Sequence, residues 1–298
     1  MRVSRGRDKK AMTPRNSRLV DLQAAGRMTK CSKIEALVGR KEELGELRAA
    51  IQRRESRLIW GAMDAGKSAL IRKAISDLPR AERRNCIYWT GPASGKQLLA
   101  YFVGRLYELG DPLVRRKIHA DRADAASLDR WLHMQSSLRL RGILFNASAQ
   151  GGYRFFFDHF SPPTHSMARL LKEIMYRCKT PVYLAARGLS QDAIGHAWSL
   201  YWNDGLRIHL GPLPERAARE LLELCIKNLG LHSLDLAHFR EDVLRLSGHL
   251  PGSIVKMCAL AADSRYHYGD QVKIKLVHVD YLMQSTLSAI HRSPSTLQ

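Results

Sequence analysis

The chain is 298 residues long, 45% apolar and 26% charged, so it is too apolar to stay disordered and long enough to bury one core and a smaller second unit. Its 48 Lys and Arg against 28 acids leave a formal charge of +20, which favours nucleotide, nucleic acid or acidic protein as partners without choosing among them. No apolar stretch approaches the roughly 20 residues of a bilayer span, and none follows the basic start MRVSRGRDKK, so the expectation is a cytoplasmic protein without membrane contact.

Residues 1–33 are rich in Arg, Lys, Ser and Gly and lack sustained apolar periodicity. They read as a basic mobile arm, either a solvated tail or a binding surface for nucleic acid or an acidic partner, and their sequence does not decide between the two. The short apolar turn Ala36, Leu37, Val38, Gly39 then precedes helical spacing at Leu44, Leu47, Ala50 and Ile51. Leu58, Ile59 and Trp60 form a strand-like run ending at a glycine, and residues 68–78 read as a helix. Further strand-like segments stand at residues 86–90, 153–158, 181–186 and 206–210, separated by helical patterns at 97–109, 125–144 and 167–176. This alternation predicts an α/β fold with a five-stranded parallel sheet covered by helices on both faces. Beyond residue 210 the strand pattern stops. Pro214 is placed to open a helix through Leu229, and residues 239–246 and 253–262 also look helical, giving a small all-helical unit. The expected division is an arm at 1–33, a core at 34–212 and a helical domain with a C-terminal extension at 213–298.

The core carries the clearest chemistry. Gly61, Ala62, Met63, Asp64, Ala65, Gly66, Lys67 and Ser68 fit G-x-x-x-x-G-K-[ST] between a strand and a helix that continues through Ala69. Such glycines let the backbone curl into a nest of N–H donors, and the helix adds the positive end of its dipole. The expected ligand is ATP or a related nucleoside triphosphate, with Lys67 on the β- and γ-phosphates and the Ser68 hydroxyl on Mg2+. A second segment must supply a carboxylate to that metal from a neighbouring strand end. Tyr153-Arg154-Phe155-Phe156-Phe157-Asp158, followed by the turn Ser161-Pro162-Pro163, competes with Gly142-Ile143-Leu144-Phe145-Asn146. Asp158 is preferred, because strong β-formers precede it and an amide coordinates Mg2+ less favourably.

With these elements in order, the sequence resembles the AAA+ and STAND branches of P-loop ATPases across roughly residues 36–265. Leu37-Val38-Gly39-Arg40-Lys41-Glu42-Glu43-Leu44 is similar to the V-G-R-x-x-E-L box that precedes their phosphate loop, which puts Gly39 and Arg40 beside the nucleotide. The Asp158 strand is similar to their Walker B element. Thr180-Pro181-Val182-Tyr183-Leu184-Ala185-Ala186-Arg187 resembles the strand whose last residue senses the γ-phosphate, making Arg187 a candidate sensor. Ser247-Gly248-His249-Leu250-Pro251-Gly252 resembles the glycine-proline motif of the helical lid, with Pro251 against the nucleotide, and Leu210-Gly211-Pro212-Leu213 resembles the junction between the two domains. The expectation is a nucleotide-driven switch with slow ATP hydrolysis, able to oligomerise on binding ATP; the resemblance implies Lys67, Asp158 and Arg187 in its catalytic set, and His159 joins them as the residue that follows Asp158.

His159 departs from the pattern, since the family usually follows the Walker B aspartate with another acid. A neutral imidazole can accept a proton from water, but fast turnover is in doubt. Two other functions stay open: an ATP-binding scaffold with negligible hydrolysis, and a DNA-associated ATPase similar to transposition or replication-loading subunits. A small-molecule kinase is disfavoured, because by family resemblance the nucleotide kinases usually lack the strand inserted between the phosphate loop and the Asp158 strand. His119, His133, His196 and His232 lack metal-ligand spacing. The five cysteines, Cys31, Cys86, Cys178, Cys225 and Cys258, form no C-x-x-C pair and read as scattered core residues of a reducing compartment.

Overall fold

A computed structural model describes residues 37–90, 94–121, 126–160 and 163–290; the arm expected at 1–33 and Ser161 and Pro162 of the expected turn lie outside the described residues. Helix α1 (Lys41–Arg53) buries Leu44, Leu47, Ala50 and Ile51, the stripe expected from helical spacing. Strand β1 (Arg57–Gly61) leads through the glycine-rich loop into α2 (Lys67–Ser76), and a short α3 (Arg80–Arg84) precedes β2 (Cys86–Thr90). Helix α4 (Gly95–Glu108) starts at a capping box, in which the Ser94 side chain accepts from Gln97 N and the Gln97 side chain accepts from Ser94 N.

The segment up to β3 differs from the sequence reading. An unforeseen helix, α5 (Pro112–Ala120), opens with Asp111 as its cap and Pro112 in its first turn. The helix expected over 125–144 is two helices, α6 (Leu128–Met134) and α7 (Ser137–Gly151), divided where Ser136 turns its hydroxyl onto Arg139 N. Residues 142–146, weighed as a strand ending at Asn146, lie inside α7 with Asn146 exposed, so that amide stands at no strand end.

The chain then runs through β3 (Arg154–Phe160), α8 (His165–Lys172) with a π-helical turn at Glu173–Arg177, β4 (Val182–Arg187), α9 (Gln191–Ile194), α10 (His196–Leu200) and β5 (Arg207–Leu210). The strands pair in parallel in the order β2-β3-β4-β1-β5, so β4 stands between the loop strand and the Asp158 strand. Alternation along the strands sends Phe155, Phe157 and Leu184 to the face covered by α4, α7 and α8, and Phe156, Tyr183 and Ile208 to the face covered by α1 and α2. Phe156 stacks on Tyr183 with ring centroids 4.6 Å apart, filling the layer beneath α2. Because all five strands point the same way, their C-terminal ends share one edge of the sheet, where the loop, Asp158 and Arg187 emerge.

Past β5, helices α11 (Glu215–Leu229), α12 (Ala237–Ser247) and α13 (Pro251–Ala261) enclose a separate apolar core that includes Leu222, Cys225, Phe239, Met257 and Cys258. A short hairpin, β6 (His267–Tyr268) with β7 (Gln271–Val272), and a final helix α14 (Ile274–Ile290) complete this unit, and neither was foreseen. Among the described residues no helix is long and apolar enough to cross a membrane.

Candidate nucleotide-binding site

The loop is shaped by residues that tolerate unusual backbone angles. Gly61 ends β1 at φ 149°, where a Cβ would lie 2.3 Å from the Leu210 carbonyl oxygen, so only glycine lets β1 close beside the end of β5. Asp64 and Gly66 follow at φ 63° and 95°, both left-handed, and Gly66 caps α2. The first turn of α2 holds no acidic residue, so the positive end of its dipole is not neutralised from within the helix. Lys67 lies half-buried and donates from Nζ to the carbonyls of Gly61 at 2.9 Å and Ala62 at 2.6 Å. Burial foremost pulls its pKa down to about 8; Asp158 opposes the shift and Arg187 adds to it. This ammonium gains by meeting anionic charge.

Across the sheet edge, the Ser68 hydroxyl donates to Asp158 Oδ1 at 2.9 Å. Asp158 is 2% exposed and is held by two further donors: His159 N reaches Oδ1 at 2.9 Å and the Tyr88 hydroxyl donates to Oδ2. Tyr88 lies on β2, with its phenol pushed well up by burial and by the neighbouring carboxylate. It belongs to the face of the sheet that carries Phe156 and Asp158, being in register with Phe156 as Thr90 is with Asp158. The serine hydroxyl and carboxylate form an all-oxygen donor pair, which fits a small hard divalent cation such as Mg2+.

His159 stands on a bulge: the β3–β4 register shifts between Phe157 and Phe160, and His159 adopts φ 54°. The bulge turns its ring toward α2, with Nε2 3.4 Å from Ser68 Oγ and 3.7 Å from Asp158 Oδ2. Arg187 ends β4 exposed and in register with Gly61, one strand spacing from the start of the loop.

Gly39 and Arg40 take up the space behind the loop. Arg40, 5% exposed, donates from Nη1 to Glu43 at 2.8 Å and from Nη2 to the carbonyls of Ala65, at 3.4 Å, and Gly211, tying the loop to the chain leaving β5. Gly39, at φ 68°, backs onto α11, where a Cβ would lie 2.5 Å from that of Ala217. On the opposite side Pro251 opens α13 against Gly66, its Cγ 3.3 Å from where a Cβ on that glycine would stand. The structure therefore gathers the loop, Asp158, His159, Arg187 and Pro251 at one edge, with Gly39 and Arg40 buttressing it. Tyr88, Lys256 and Tyr281 also reach the site and were not singled out from the sequence. Only the period-two facing of Tyr88 with Asp158 on an adjacent strand carried a signal.

No protein-family model matches the chain, nor does any curated protein. Among solved structures, the Walker-type ATPase of Pyrococcus abyssi is similar with a TM-score of 0.52 and 15% identity over 85% of this chain and 75% of that one. The Orc1 protein of Aeropyrum pernix, solved in complex with DNA, is similar with a TM-score of 0.56 and 14% identity over 88% of this chain and 70% of that one. The fold is that of the P-loop ATPases, as the order of the sequence motifs implied.

Proposed function

We propose that the chain is a Mg2+-dependent ATPase of AAA+/STAND type, with a core over residues 34–212 and a helical lid over 213–298 whose position against the core is set by bound nucleotide. The observation that carries this reading is the Ser68–Asp158 contact of 2.9 Å beside the loop lysine, which joins the two halves of a phosphate and metal site. Lys67 and the loop N–H groups hold the phosphates, and Ser68 and Asp158 hold the metal. Bound there, Mg2+ supplies charge neutralisation at the phosphate oxygens. His159 accepts a proton from, or orients, the attacking water at the edge of the site, and Arg187 stabilises charge developing on the γ-phosphate. Turnover is slow because an imidazole stands where the family places an acid.

Calorimetric titration with ATP, with and without Mg2+, tests the binding reading. Steady-state hydrolysis at several protein concentrations, with and without DNA, tests the rest. Absence of ATP binding by folded protein overturns the proposal; binding without turnover leaves the scaffold function; a rate per molecule that rises with concentration indicates a site completed on assembly. A DNA-associated ATPase is the second reading, supported by the charge of +20 and by the similarity to an Orc1 protein that was solved with DNA. It requires DNA binding that falls steeply with salt.

A further inference from the structure

Asp64 occupies one of the unspecified positions of the loop pattern, yet it has more partners in the helical unit than any fit to that pattern explains. Lys256, on α13, donates from Nζ to both carboxylate oxygens at 2.8 and 2.9 Å. The Tyr281 hydroxyl, from α14, donates to Oδ2 at 3.2 Å and lies 2.7 Å from the Ser253 hydroxyl. The Asp64 main-chain carbonyl accepts from Gly252 N at 2.8 Å, an approach that leaves no room for a side chain at 252, where a Cβ would sit 2.8 Å from Asp64 Cβ. The Asp64 side chain is only 11% exposed, so its charge is held largely out of water, where a hydrogen-bonded ion pair is stronger and a broken one costs more. Asp64 is also the loop's non-glycine residue in the left-handed region, the conformation most easily lost when the surrounding contacts are removed.

Resting on the nucleotide-binding reading above, we infer that Lys256 and Tyr281 are positioning residues: they act through Asp64 to hold the phosphate loop in its nucleotide-ready curl and thereby set the rate of nucleotide release. The arrangement makes loop geometry and lid closure one event. A loop residue serves as the lid's docking point, so moving α13 and α14 away strips Asp64 of its cation and two further donors at once. Nucleotide trapped beneath a docked lid leaves slowly, and anything that draws α14 away speeds exchange, because both act on the same two-state element.

Two measurements on the full chain test this, one of which needs no nucleotide. In the nucleotide-free protein, Lys256→Met should raise amide hydrogen exchange at residues 62–66 by about 10-fold, Lys256→Arg should leave it near wild type, and Tyr281→Phe should give a smaller rise. Asp64→Asn should match Lys256→Met, and the double variant should add nothing further, since both remove one interaction. Stopped-flow release of a fluorescent ADP should accelerate in the same order. Thermal melting of each variant confirms that the fold persists. Wild-type exchange in folded Lys256→Met, or effects that add in the double variant, overturns the inference. If wild-type protein binds no nucleotide, the functional reading fails on the release measurement while the exchange measurement still decides the latch.

Discussion

The Ser68 hydroxyl and the Asp158 carboxylate meet at 2.9 Å although 90 positions separate them in the chain. Their meeting depends on β4 lying between β1 and β3 and on Phe157 and Phe155 anchoring β3 from the other face. Asp158→Asn should therefore reduce the gain in ATP affinity on adding Mg2+ by about 10-fold or more, because an amide lacks the anionic charge a hard cation requires. Tyr88→Phe should weaken that gain by about 3-fold, as expected for one hydrogen bond that orients the carboxylate. Asn146→Ala, on the exposed face of α7, should leave it unchanged. Titration with and without Mg2+ decides, and equal Mg2+ dependence in wild type and Asp158→Asn would show that the metal is held elsewhere.

Lys67→Ala should lower ATP affinity by at least about 100-fold, or about 2.7 kcal/mol, while leaving the melting temperature close to wild type. Its Nζ donates to the carbonyls of Gly61 and Ala62, and burial already disfavours its charge, so the folded state loses little with it. Wild-type affinity in a folded variant would remove the nucleotide site.

Much of the core could be read from the chain because each signal was local. Buried parallel strands appear as short apolar runs such as Phe155-Phe156-Phe157, and the loop has its own spacing. Residues 142–146 stayed open to a strand alternative because the three apolar residues in a row at 143–145 suit a strand and a buried helix equally; the Ser136 cap decided for helix. Helix α14 exposes Leu276, Val279 and Met283 while packing through Val277, so it lacked the one-sided stripe that marks a surface helix. Lys256 and Tyr281 were invisible for another reason, and Tyr88 left only its period-two facing as a trace. Their roles come from strand adjacency and from contacts up to 217 positions long, which no window of sequence contains.

Deleting residues 1–33, which lie outside the described residues, should leave ATP affinity unchanged and flatten the salt dependence of binding to DNA or another polyanion. The segment is rich in Lys and Arg, and each cation that meets a phosphate releases a counterion. Fluorescence anisotropy across a salt series measures the slope. An unchanged slope would place any polyanion contact on the core or the helical unit.

His159 offers the sharpest test, because its backbone and its imidazole make separable demands. At φ 54° a non-glycine residue carries about 1 kcal/mol of strain, so His159→Gly should keep or slightly raise stability, whereas His159→Ala should not. If the imidazole works on the attacking water, both substitutions should cut kcat by about 100-fold with little change in KM, as loss of a general base does. A role confined to shaping the bulge would give a different pattern: glycine would retain the rate while alanine lost it. His159→Glu places the acid usual in AAA+ and STAND ATPases at the residue whose ring Nε2 stands 3.4 Å from the Ser68 hydroxyl. On the proposed mechanism it should recover part of the rate lost in alanine. Turnover above wild type in His159→Glu, with His159→Ala equal to wild type, would show that the histidine performs no chemistry and that the native protein is slow because its base was replaced.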